Sequence, residues 1–176
     1  MVAAKWNRLA KGFAASTGLL AAALAWMLFT PEPEIPQLVE RFAVPFLQGQ
    51  EPVFTGGAGY DLSPDGTMLV YRHLVDANQI LMVRRWDDLT ATQVRETDGA
   101  ANPAISLDGL ELAFEQAREI KVLALSGGAV RTVVSGSSPE WGPNGFVYAT
   151  ADSGAVRVPA TGGAVEYVSR LNDGDL

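Results

Sequence analysis

The chain offers few side chains able to do chemistry, and each must be judged by its company. There is no cysteine, and the single histidine, His73, follows a strand-like run. A hydrolytic triad needs a serine nucleophile on a Gly-x-Ser-x-Gly elbow, and no such motif occurs. One imidazole without thiolates cannot build a His/Cys metal site. His73 is therefore expected at the surface or at a sheet edge. Asp61, Asp65, Asp87, Asp88 and Asp108 are the candidate hard-cation ligands, but they lack the loop spacing that gathers six or more oxygens around one Ca²⁺. They read as solvated turn residues. Gly127-Gly128 and Gly162-Gly163 are not phosphate loops, because no helix follows to present its N-terminus. Trp86, Trp141, Tyr60, Tyr71, Tyr148 and Tyr167 are the aromatic anchors a binding face would use. Packing is expected to claim most of them, Trp141 above all. No catalytic, cofactor or metal residue is assigned, no cofactor is implied, and the binding residues stay open.

The elements that must position these side chains follow from composition and periodicity. The 176 residues include 48% hydrophobic and 19% charged positions, with a formal net charge of −7. Three of the thirteen basic residues, Lys5, Arg8 and Lys11, lie in the first eleven positions, leaving a strongly acidic remainder. That balance argues against nucleic acid as a partner. Eighteen glycines and ten prolines without a Gly-X-Y period point to a turn-rich folded body rather than a fibre or a disordered chain.

Much of the apolar excess sits at 13–29, a run without charge that carries Phe13, Leu19, Leu20, Leu24, Trp26 and Phe29. A helix over 12–30 would span roughly 28 Å, close to the hydrocarbon thickness of a bilayer. With Lys5, Arg8 and Lys11 before it and Glu32 and Glu34 after it, the expected topology is a basic cytoplasmic tail at 1–11, one transmembrane helix, and the remainder outside the membrane. A cleaved signal peptide ending near Ala23-Leu24-Ala25 is the rival reading, and it exports the remainder equally. The segment 31–56 starts as a Pro/Glu spacer, Thr30-Pro31-Glu32-Pro33-Glu34-Ile35-Pro36, and continues into one β-like stretch, Arg41-Phe42-Ala43-Val44-Pro45-Phe46.

From about Gly57 the sequence repeats. Leu62-Ser63-Pro64-Asp65-Gly66, Ile105-Ser106-Leu107-Asp108-Gly109 and Trp141-Gly142-Pro143-Asn144-Gly145 are turn signatures, each followed by an apolar strand-like run. A second element repeats with them: the stretch 120–130, holding Gly127-Gly128, aligns without a gap on 155–165, holding Gly162-Gly163. In the first repeat a longer loop, Trp86-Asp87-Asp88-Leu89-Thr90, replaces the Gly-Gly turn. Each unit reads as strand, Asp-Gly or Asn-Gly turn, strand, loop, strand, Gly-Gly turn, strand, which is a β-propeller blade. The expected fold class is all-β: a partial propeller of about three four-stranded antiparallel blades, at 57–100, 101–137 and 138–171 within 57–176. A β-sandwich with coincidental turn spacing is the alternative.

Leu62-Ser63-Pro64-Asp65-Gly66 followed by Leu69-Val70-Tyr71 resembles the TolB-type, WD-like propeller repeat of bacterial exported proteins. The basic-flanked anchor, the Pro/Glu linker, 41–45, 81–92, 97–101 and 156–163 together resemble one larger arrangement. This is the transmembrane and extracytoplasmic part of bacterial membrane-spanning serine/threonine kinases. The resemblance implies a single-pass protein of the bacterial inner membrane with a periplasmic or extracellular propeller, acting as a noncatalytic sensor or binding module for protein or ligand. It also implies a kinase on the cytoplasmic side, but only about twelve residues precede the apolar run, and no glycine-rich loop, His-Arg-Asp or Asp-Phe-Gly motif is present. Closed propellers hold four to eight blades. The chain therefore reads either as the front part of a longer protein or as an arc that needs further blades or subunits. A propeller gating a prolyl-oligopeptidase-type hydrolase is the third alternative.

Overall fold

The computed structural model describes residues 44–53 and 59–170, together with Leu20, Leu24 and Trp26. It divides into a unit over Met1–Ala43 and a unit over Val44–Leu176. Leu20, Leu24 and Trp26 are helical and exposed. Lys5, Arg8, Lys11, Phe13, Leu19 and Phe29 lie outside the described residues, and among the described residues no helix is long and apolar enough to cross a membrane.

Among its described residues the second unit holds three four-stranded antiparallel sheets, each a simple meander. The first contains β1 (Tyr60–Leu62), β2 (Met68–Val75), β3 (Asn78–Arg85) and β4 (Thr92–Gln93); the second, β5 (Ala101–Ile105), β6 (Glu111–Gln116), β7 (Glu119–Ala124) and β8 (Arg131–Ser135); the third, β9 (Ser137–Trp141), β10 (Phe146–Ala151), β11 (Gly154–Pro159) and β12 (Glu166–Tyr167). The strands at the start of each meander, β1, β5 and β9, lie against one another from sheet to sheet.

Period-two alternation explains how the sheets stack. Met68, Val70, Leu81 and Val94 of the first sheet pack on Ile105, Leu112, Phe114 and Leu123 of the second. The second sheet's other face, with Ala113, Ile120, Val122 and Val133, packs on Val147, Ala149, Val156 and Val158 of the third. The middle sheet is thus buried on both sides. This is the arrangement of consecutive propeller blades, and the expected partial propeller of three blades is what the structure contains. We call the face of each blade toward the next its forward face and the other its backward face.

Polar bonds reinforce both apolar layers. Asp61 on β1 accepts the Ile105 N–H of the next blade at 2.7 Å, so it is a bridge between blades rather than the solvated turn residue expected. Trp141 packs beside the second layer and its Nε1 donates to the Ala104 carbonyl at 2.8 Å. Arg131 donates to the Ala160 carbonyl at 2.8 Å and pairs with Glu111.

Two features depart from the sequence expectation. The connection between the second and third strands of each blade, expected as a loop, is a two-residue hairpin turn, since Val75 pairs with Asn78, Gln116 with Glu119 and Ala151 with Gly154. Asp76, Ala77, Ala117 and Arg118 take positive φ there, as tight hairpins demand, although none is glycine. His73, expected at the surface or at a sheet edge, is buried on a central strand, because the segment 44–53 lies over the backward face of the first blade. Phe46 meets the Tyr71 ring edge-on at 5.2 Å. The Tyr71 hydroxyl donates to the Gln50 carbonyl at 2.8 Å, His73 Nδ1 lies 2.7 Å from the Glu51 carbonyl, and the Val53 N–H donates to the Arg72 carbonyl.

Candidate functional site

The two ends of the blades are built differently. One end carries the turns singled out in the sequence. Ser63 Oγ donates to Asp65 Oδ1 at 2.6 Å and accepts from the Met68 N–H, while Asp65 also accepts the Thr67 N–H and hydroxyl. Ser106 and Asp108 repeat this, with the Leu110 and Glu111 N–H groups as donors. The serine hydroxyl, and then the backbone N–H, hold both carboxyls below the ordinary aspartate value. These carboxylates are exposed but occupied by their own turns. Gly66 and Gly109 take φ +70 and +72.

The third turn lacks the pair, for a steric reason. Gly142 stands in the serine's place, and any Cβ there would run into the Tyr148 ring. Asn144 and Gly145 then make the bend with φ of 63 and 73. Gly127, Gly128, Gly162 and Gly163, also with positive φ, lie on exposed turns between the third and fourth strands at this same end. Asp87 and Asp88 are exposed, and among the described residues no three His, Cys, Asp or Glu side chains gather as a metal site would require.

At the opposite end, polar groups of neighbouring blades converge. The first strands of the second and third blades carry bulges, with Asn102 and Ser138 at positive φ and a proline after each. Asn102 Nδ2 donates to Glu115 Oε2 at 2.8 Å, and the Ser138 N–H reaches the same oxygen at 3.3 Å. One carboxylate on β6 therefore ties two blades, while Asn102 Oδ1 is a buried acceptor with no partner among the described residues. Gln116 Nε2 donates to the Asp98 carbonyl at 2.7 Å, Asn78 reaches the Asp98 carboxylate at 2.8 Å, and Arg118 pairs with Asp152 at 2.9 Å. Ala117, Arg118, Glu119, Ser135, Gly136 and Asp152 line a polar hollow of about 280 Å³ between the second and third blades.

No residue of this rim was singled out in the sequence. The available signal was the polar-Pro pair, Asn102-Pro103 and Ser138-Pro139, repeated within the strand that leads into each turn. The aromatic candidates are dispersed. Tyr71 is buried, Trp86, Trp141 and Tyr148 are half-buried, and Tyr60 and Tyr167 are exposed. The Trp86 indole N–H bonds the Gly66 carbonyl, fastening the long loop to the turn of its own blade.

No family model matches the sequence, and no curated protein matches it either. Solved structures do. A putative TolB from Agrobacterium tumefaciens superposes with a TM-score of 0.58 at 16% identity, over 64% of this chain and 46% of its own. The β-propeller domain of the trilobed protease from Pyrococcus furiosus gives 0.47 at 16% identity, over 62% of this chain and 40% of its own. The chain thus spans less than half the length of either. At such identities the likeness is one of fold, and the described blades form a partial β-propeller of the TolB-like kind.

Proposed function

We propose that the chain is a membrane-anchored, extracytoplasmic β-propeller module that binds a protein or ligand and performs no chemistry itself. The observation that carries the reading is the rim at the Asn102, Glu115 and Ser138 end. There, stacked blades hold exposed polar groups of successive hairpins at fixed spacing around a hollow, while at the opposite end Asp65 and Asp108 are taken up by their own turns. A rigid scaffold presenting variable turns suits recognition. The export half of the proposal rests on the charge-free run at 13–29 and its basic flank.

Both halves can be tested in intact cells. The chain has no cysteine, so Ser153→Cys gives one thiol on the rim, and a membrane-impermeant maleimide is expected to label it without lysis. Labelling only after lysis would overturn the export reading. A photo-crosslinking residue at Arg118 is expected to trap a discrete partner that the same residue at Leu89, on the other end, does not. Equal capture at both positions would refute the rim as the binding face.

A second reading, favoured by the sequence resemblance of 41–45, 81–92 and 156–163, is that the propeller is the sensor part of a transmembrane serine/threonine kinase system. A kinase reading frame running directly into the codons before Lys5 would decide for it.

A further inference from the structure

We propose that the groove between the first two blades is a socket for an arginine side chain of a partner polypeptide. Both of its walls belong to those blades, so the site stands whatever precedes or follows them. It goes beyond the rim, since none of the residues that line the rim hollow lines this groove.

The next junction supplies the template. Val70 and Ala113 stand at matching distances after the turn glycines Gly66 and Gly109, and they pair with Val83 and Val122. Val83 pairs in turn with Thr92 and Val122 with Arg131, so Thr92 of the first blade is the counterpart of Arg131 of the second. Arg131 reaches across to the third blade, where its Nε donates to the Ala160 carbonyl at 2.8 Å. The counterpart of Ala160 is Leu125, because 120–130 aligns on 155–165 and the two residues make matching bonds within their own blades. Leu125 N–H donates to the Leu110 carbonyl, and Ala160 N–H to the Gly145 carbonyl. Where the second junction holds a guanidinium, the first therefore holds only a threonine hydroxyl.

The space at the first junction is a groove of about 370 Å³. Val83, Val94 and Leu123 give it an apolar side on which methylenes can lie. The hydroxyls of Thr92 and Ser126 and the Leu125 carbonyl give it acceptors, none of them bonded among the described residues. Met68 stands where the second blade has Glu111, the carboxylate that pairs with Arg131. Arg95 and Glu96, the charged residues that line the groove, balance each other. The chain's net charge of −7 then favours a cation over an anion. A guanidinium suits the groove better than an ammonium, because its planar fork donates to both walls at once while its stem stays on the apolar side.

The test titrates the full chain, in mild detergent, into dye-labelled acetyl-Ala-Ala-Arg-Ala-Ala-amide, with binding read by fluorescence anisotropy. Saturable binding is expected, and the same peptide with citrulline or lysine in place of arginine is expected to bind at least about tenfold more weakly. Thr92→Arg sets a guanidinium of the chain's own in the groove and is expected to weaken binding of the arginine peptide by about tenfold or more. Ser126→Phe, at an exposed turn position, is expected to block the groove with a similar loss. Should Thr92→Arg fail to fold, Ser126→Phe decides alone. No saturable binding to the original protein would overturn the proposal, as would equal affinity for the citrulline or lysine peptide, or undiminished binding by the folded variants. Capture at Arg118 does not use the groove, so failure here leaves the rim reading standing and failure there leaves the groove.

Discussion

Burial pushes the Tyr71 hydroxyl up to about 12, the nearby Arg84 opposing the shift and Glu51 adding to it. Its proton is needed for the bond to the Gln50 carbonyl, so the folded state keeps it while the unfolded chain loses it from about pH 10. The Tyr71 contribution to stability is thus complete below pH 10 and is lost as pH rises toward 12. Tyr71→Phe should remove this alkaline sensitivity at a cost of about 1 kcal/mol near neutrality, read from urea unfolding at pH 7 and pH 11. Asp65 and Asp108 work in the opposite direction. Their folded pKa values are lowered, so their contribution is present above about pH 4 and is lost as pH falls through the folded value. Ser63→Ala together with Ser106→Ala should flatten the acid limb of the stability curve, which thermal unfolding between pH 2 and pH 5 would reveal.

At the scale of elements, two of the hairpins that the sequence did not announce hold non-glycine residues in left-handed geometry. Left-handed geometry at Ala117 and Arg118 costs about 1–2 kcal/mol for each residue with a Cβ. Ala117→Asn with Arg118→Gly matches the residues to the turn, and should raise the urea midpoint by an amount worth about 1 kcal/mol or more. Phe114, wholly buried between the first and second blades, should cost about 3–5 kcal/mol when truncated to alanine. The Asp-Gly and Gly-Gly turns were legible because local chemistry sets them: Gly66, Gly109, Gly127 and Gly162 supply the positive φ that the bends need. The turns at Asp76-Ala77 and Ala117-Arg118 were not, since pairing of the flanking strands imposes a conformation that their own propensity does not favour. His73 was misjudged for a related reason. The segment that covers it comes from more than twenty residues upstream, and no pattern around His73 reports that. The Glu115 rim escaped notice because its meaning lies in two bulges belonging to two blades, which periodicity within one strand cannot show.

For the molecule as a whole, three repeats sharing two apolar layers make an arc whose stability resides in neighbour contacts, as in other repeat architectures. The middle blade is covered by a neighbouring blade on both sides and each outer blade on one, while the segment 44–53 lies over the first blade's other face. What the arc binds depends first on the blades folding as one body. Hydrogen exchange of the full chain, read by peptide, tests that most directly. The structure predicts slow exchange in β2 and β3, β6 and β7, and β10 and β11 alike, with Thr97, sealed between Leu81 N–H and the Val94 carbonyl, protected at the junction of the first two blades. Rapid, complete exchange in the first or third sheet while the second stays protected would contradict the arc as a single packed unit.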